Sequence, residues 1–114
     1  MFSEEKAAER GRKVMVKHII LWTLKEELTS EEKTAVKAGI KSGLEGLAGR
    51  IPGLLEIKVY TEGLHSSNVD LMLDSTFADE IALKGYAVHP EHVAVADGKV
   101  RPYTAVRSCM DFEV

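Results

Sequence analysis

Between Val16 and Leu24 the chain reads Val-Lys-His-Ile-Ile-Leu-Trp-Thr-Leu. Side chains of an extended segment alternate with period two, so Val16, His18, Ile20, Trp22 and Leu24 share one face and Ile19 and Leu21 the other. A strand apolar on both faces is expected to be covered on both. Thr29 and Glu32 then stand at capping-box spacing, and Val36, Ile40, Leu44 and Leu47 recur at helical intervals. This pattern predicts a long helix running to about Ala48, stopped by Gly49 and by Pro52-Gly53. Gly39, Gly43 and Gly46 lie along one edge of its apolar stripe. Each costs about 0.5–1 kcal/mol relative to alanine, which points to close approach of a sheet or a second helix.

Two further strands are expected over residues 54–61 and 69–77, joined by the polar stretch 62–68. In the first, Leu55, Ile57 and Val59 alternate with Glu56, Lys58 and Tyr60; in the second, Val69, Leu71, Leu73 and Phe77 mark the buried face. Thr76 or Asp79 can cap a short helix ending near Tyr86. Pro90 suits the first turn of another helix, which Asp97-Gly98 would close, and Pro102 precedes a last strand over residues 103–112. The order β-α-β-β-α-(α)-β belongs to the α+β class and is the ferredoxin-like arrangement, a four-stranded antiparallel sheet with its helices on one face. That leaves a bare sheet face on which the first strand still carries apolar side chains. Such a face exceeds what a soluble monomer normally exposes. Two sheets packed face to face hide it, so the pattern predicts a homodimer with the form of a dimeric α/β barrel.

Composition narrows the class without changing it. With 45% hydrophobic and 29% charged residues in 114, the chain is a single globular domain rather than a disordered or repetitive one. Residues 1–14 carry a charged stretch unlike the rest and read as a flexible extension, leaving 15–114 as the domain. A net charge of −3 with interspersed signs offers no basic stripe, so nucleic acid is not an expected partner. No apolar run approaches the ~20 residues of a membrane span, and no signal-peptide core is present. A single cysteine, Cys109, cannot form an internal disulfide, which suits reducing cytoplasm; it reads as a small buried side chain.

Candidate chemistry gathers around histidine. Strand parity points His18 into the apolar space between sheet and helices, beside Trp22. Tyr86 and His92 flank a proline-interrupted joint between two short helices, and such a joint folds back, turning both side chains toward the same cavity. The candidate catalytic set is therefore His18, Tyr86 and His92, and the candidate ligand pocket adds Trp22 and His89. His89, just before Pro90, also suits a helix cap, and His65 lies in a polar loop. His89 and His92 are spaced to share a helical face, but no third ligand is evident, so neither metal nor cofactor is assigned. Asp70 and Asp74 share a strand face and read as rim residues. No phosphate-cradling glycine loop or nucleophile elbow occurs.

Met15-Val16-Lys17-His18-Ile19-Ile20-Leu21 and Tyr86-Ala87-Val88-His89-Pro90-Glu91-His92, in this order and separation, resemble the stress-responsive A/B barrel (Dabb) domains. The resemblance runs from about Met15 to Val114 and implies the same dimeric α/β barrel. It also implies a pocket: in Dabb-like polyketide cyclases the counterparts of His18, Tyr86 and His92 line the reactive cavity, where a histidine acts as base and the tyrosine orients a carbonyl. This chain departs from those enzymes at Leu71 and Ile40, where they carry a polar side chain and an aromatic hydroxyl, which argues against the same substrate. Three functions are thus set against one another. The first is a dimer binding a small apolar ligand. The second is an enzyme using histidine acid–base chemistry on a polyketide-like or related carbonyl compound. The third is a relative of the haem-degrading and quinol-oxidising monooxygenases, with His92 as the haem candidate.

Overall fold

The computed structural model describes residues 14–114, and the expected extension falls, but for its last residue, outside the described residues. Strand β1 (Val16–Leu24) is followed by helix α1 (Ser30–Glu45), β2 (Leu54–Tyr60), β3 (Leu71–Phe77), α2 (Glu80–Val88), α3 (Pro90–Val95) and β4 (Thr104–Glu113). The sheet order is β2-β3-β1-β4, with every neighbouring pair antiparallel. The ferredoxin-like order and the four-stranded sheet are as the sequence pattern predicts.

Capping accounts for the helix starts. Thr29 accepts from the Glu32 amide, and Glu32 in return accepts from the Thr29 amide, completing the capping box of α1. Asp79, not Thr76, caps α2 by accepting from the Ala82 amide at 2.8 Å. Thr76 is instead buried within β3. Helix α1 stops at Glu45, short of Ala48, with Gly46 as its cap and Gly49 turning the chain at φ +79°. Among the three interior glycines, close approach explains Gly43: an added Cβ would meet Val95 of α3 at 2.9 Å. Around Gly39 there is open space, and Gly46 meets only backbone carbonyls of its own helix.

Two details differ from the sequence pattern. A register shift between Leu54 and Glu56 turns Leu54 inward and leaves Leu55 51% exposed, since a bulge reverses side-chain parity. After α3 the chain does not close at Asp97-Gly98. It continues through a widened π-helical turn (Ala96–Val100) and a 3₁₀ turn (Arg101–Tyr103), which bury Ala96 and Val100 against the core.

The register fixes what each sheet face carries. On the helix side Ile20, Ile40, Leu44, Val59, Leu71, Leu73 and Phe77 form the core, each at most 2% exposed. On the other face Ile19 lies opposite Met110, Lys17 opposite Phe112 and Leu21 between Met72 and Ser108. There Met110 is 65% and Val106 57% exposed. Lys17 and Asp74 pair at 2.9 Å on this face, while Asp70 accepts from the Leu24 amide at the end of β1. The two aspartates thus hold separate structural posts and form no carboxylate pair. No helix among the described residues is long and apolar enough to cross a membrane.

Candidate functional site

His18 sits mid-sheet with Ser75 of β3 on one side and Asp111 of β4 on the other. Ser75 donates to the His18 carbonyl at 2.9 Å, locking the backbone there. The residue is 8% exposed and its Nδ1 lies 2.5 Å from Asp111 Oδ1. An ionised carboxylate only accepts, so Nδ1 carries the proton of this bond.

Tyr86 occupies the last turn of α2, and the chain then reverses. The His89 amide closes on the Tyr86 carbonyl at 3.1 Å, and His89 Nδ1 accepts from the Glu91 amide at 3.1 Å, capping α3. Pro90, which has no N–H to lose, takes the first helical position. One turn on, the His92 ring returns to lie over Tyr86, centroids 4.0 Å apart and planes at 32°. Phe77 packs against Tyr86 with centroids 4.9 Å apart, and His18 stands edge-on to Tyr86 at 5.9 Å. The structure therefore brings His18, Tyr86 and His92 together. Trp22 lines the same cavity. His89 is not among the residues lining that cavity; its Nδ1 accepts from the Glu91 amide as the cap of α3.

The cavity measures about 380 Å³ and is walled by Ile20, Trp22, Leu44 and Leu73 as well as the aromatic row. Arg101 and Arg107 stand among its lining residues. Tyr86 Oη, in one of its lining residues, is buried without a hydrogen-bond partner among the described residues. Burial pushes the Tyr86 hydroxyl well above its usual titration range, against the opposing charge of Arg107. Burial likewise lowers His92, with Arg101 and His18 adding to the effect and the carbonyls of Ala87 and Tyr86 opposing it.

A histidine whose folded-state pKa is depressed binds its proton more readily when unfolded. Its neutral form therefore contributes stability above the ordinary value of 6.5, and that contribution is lost as pH falls below it toward the folded pKa. Urea midpoints measured from pH 7.5 to 5 should fall more steeply for the parent than for His92→Gln. Parallel curves would exclude a buried neutral His92.

Several residues escaped the sequence. Asp111 and Arg107 reach the site only because the β1–β4 register sets them opposite His18 and Trp22, and no local motif announces that pairing. Cys109 is exposed rather than buried, on the edge strand β4. Ile40 and Leu71 are core residues at 0% and 2% exposure, so the polar groups of the polyketide cyclases have no counterpart at these two places.

Residues 16–114 match the family model of the stress responsive A/B barrel domain, Dabb. The chain belongs to the Dabb family. A dimeric protein of unknown function with a ferredoxin-like fold from Bacteroides fragilis is 33% identical over 88% of this chain and 96% of that one, with a TM-score of 0.82. A Dabb family protein of ferredoxin-like fold from Mesorhizobium loti is 23% identical over 88% and 96%, with a TM-score of 0.68. The hydroxynitrile lyase of Passiflora edulis is 16% identical over 90% and 95%, also at 0.68. These last two likenesses show the fold alone. No curated protein matches the chain.

Proposed function

We propose that this Dabb domain is a homodimer that binds a small, mostly apolar molecule bearing a carbonyl oxygen, in the cavity between sheet and helices. The observation that carries the reading is Tyr86 Oη, buried without a hydrogen-bond partner among the described residues, in a side chain that lines the cavity together with His18 and His92. A buried polar atom left without a partner costs about 1–3 kcal/mol, and nearly all such atoms in folded proteins find one. A ligand carbonyl would accept from the Tyr86 hydroxyl, which its raised pKa keeps protonated, while Trp22, Leu44 and Leu73 cover the apolar remainder. About 380 Å³ lies at the small end of ligand-pocket volumes, which run from about 300 to 1,000 Å³.

The bare apolar sheet face supports the homodimer, and the similar protein from Bacteroides fragilis is dimeric. An interface of at least about 1,200 Å² in total is expected.

The test is a thermal-shift screen of aromatic and polyketide-like carbonyl compounds, followed by Tyr86→Phe. Removing an orphaned hydroxyl should stabilise the ligand-free protein by about 1 kcal/mol. The same change should weaken ligand binding about three- to tenfold, the net value of one hydrogen bond. A ligand held as tightly by Tyr86→Phe as by the parent would overturn the reading.

A second reading is catalytic and rests on the stacking of His92 upon Tyr86. An imidazole kept neutral by burial can take a proton from a carbon next to a carbonyl, while the phenol donates to the developing oxyanion. Unchanged turnover of a confirmed substrate by His92→Ala would end that reading. Haem chemistry is not proposed, because one face of His92 is covered by Tyr86 within this small cavity.

A further inference from the structure

On the α2 side of β4 a second cavity of about 450 Å³ opens beside the first, and His18, Cys109 and Asp111 stand together in its wall. We propose that these three side chains form a binding site for a divalent cation of the zinc class. His18 Nδ1 and Asp111 Oδ1 are 2.5 Å apart, Cys109 Sγ and Asp111 Oδ1 3.5 Å, and Cys109 Sγ and His18 Nδ1 3.9 Å. All three ligand atoms lie within 4.8 Å of one another.

The arrangement distinguishes a chelate from a catalytic triad. In a triad the nucleophile and the carboxylate address opposite nitrogens of the imidazole. Here both converge on the same nitrogen, Nδ1, so Cys109 and His18 cannot relay a proton to Asp111. Three electron-rich atoms are aimed at one point. Hydrogen bonds now hold them together, Asp111 Oδ1 accepting from His18 Nδ1 and from the Cys109 thiol. A divalent ion would displace both protons, since a coordinated thiol is deprotonated outright.

The distances suit that exchange. Bond lengths of about 2.0–2.3 Å in a tetrahedral zinc site separate the ligand atoms by about 3.4–3.6 Å. The sulfur–oxygen separation is already there. The nitrogen–oxygen separation must open by about 1 Å. Asp111 can supply that movement, its side chain being 43% exposed on an edge strand, while the buried His18 stays fixed. One imidazole, one thiolate and one carboxylate form a borderline donor set that prefers zinc, cobalt or iron(II) to calcium or magnesium. The adjoining cavity leaves the fourth position to water or a small ligand, as in three-ligand zinc sites.

The experiment uses cobalt(II) as a spectroscopic stand-in, added to the metal-free full chain with a phosphine reductant present. Because Cys109 is the only cysteine in the sequence, any sulfur-to-cobalt charge-transfer band reports this residue alone. One equivalent per chain should produce that band together with visible bands of tetrahedral intensity, and zinc should bleach both. Cys109→Ser should abolish the charge-transfer band while leaving the melting temperature of the metal-free protein unchanged within a degree or two. Asp111→Asn should weaken cobalt binding at least tenfold. A parent protein without the charge-transfer band would overturn the proposal. So would saturation at one ion per two chains, which would mean cysteines of separate molecules meeting at a shared ion, or unaltered affinity in Asp111→Asn. Neither variant touches Tyr86 or His92, so a failure here leaves the ligand-binding reading of the first cavity standing.

Discussion

Replacing Phe77 with alanine should lower the unfolding free energy by about 3–5 kcal/mol, the usual result of emptying an aromatic site in a core that cannot collapse around it. Domains of this size hold only about 5–15 kcal/mol in total. Phe77 is fully buried where β3 ends, and the cavity it would leave is bounded by elements of two layers, which prevents easy closure. The change should also be felt in the site. The ring lies 4.9 Å from Tyr86 and 6.2 Å from His18, so it is the shared support on which the aromatic row stands. Phe77→Leu keeps most of the volume and should cost less than about 1.5 kcal/mol. Urea unfolding followed by circular dichroism measures both, with a lower midpoint and an unchanged slope for Phe77→Ala. A midpoint equal to the parent's would show that Phe77 does not brace the core.

Much of this architecture was legible because its signals are local. The period-two run of β1, the capping box at Thr29 and the helical spacing of Ile40 and Leu44 each depend on residues within a few positions of one another, and each is where the pattern put it. The errors fall where a distant contact decides. Leu54 displaced Leu55 from the core because pairing with β3 shifts at the start of β2, and pairing is not written in either strand alone. Asp97-Gly98 reads as a helix stop, yet burial of Val100 holds the chain in a widened turn beyond it.

The same division runs through the candidate site. His18, Tyr86 and His92 could be named because strand parity and a proline-marked reversal are short-range geometry. Asp111 and Cys109 could not be linked to His18, since they lie more than ninety positions away and meet it only through the β1–β4 register. His89, just before Pro90, suits a cap as well as a pocket wall, and in the structure its Nδ1 caps α3. A cap and a pocket wall draw on the same imidazole, and the free amide of Glu91 claimed it first.

Assembly gives the other large expected effect. Among the described residues nothing covers the face opposite the helices, which presents Ile19, Leu21, Met72, Val106, Met110 and Phe112, and β4 is an edge strand ten residues long. Long apolar edges in soluble proteins are covered or they aggregate. Met110→Asp places a short carboxylate, unable to snorkel out, at the most exposed of these apolar positions. Burying that charge unpaired costs about 3 kcal/mol or more, so the dimer dissociation constant should rise at least about a hundredfold. Ile81→Asp supplies the control. Ile81 is 78% exposed on α2, in the helical layer, and the same charge there should leave assembly unaltered. Light scattering across a concentration series, with circular dichroism to follow folding, separates the outcomes. If the monomer cannot stand alone, Met110→Asp will lose structure on dilution where the parent does not, because folding and association are then one equilibrium. A Met110→Asp protein that stays dimeric at the parent's affinity would remove the sheet face as the interface. Dissociation of Ile81→Asp in its place would move that interface to the helices.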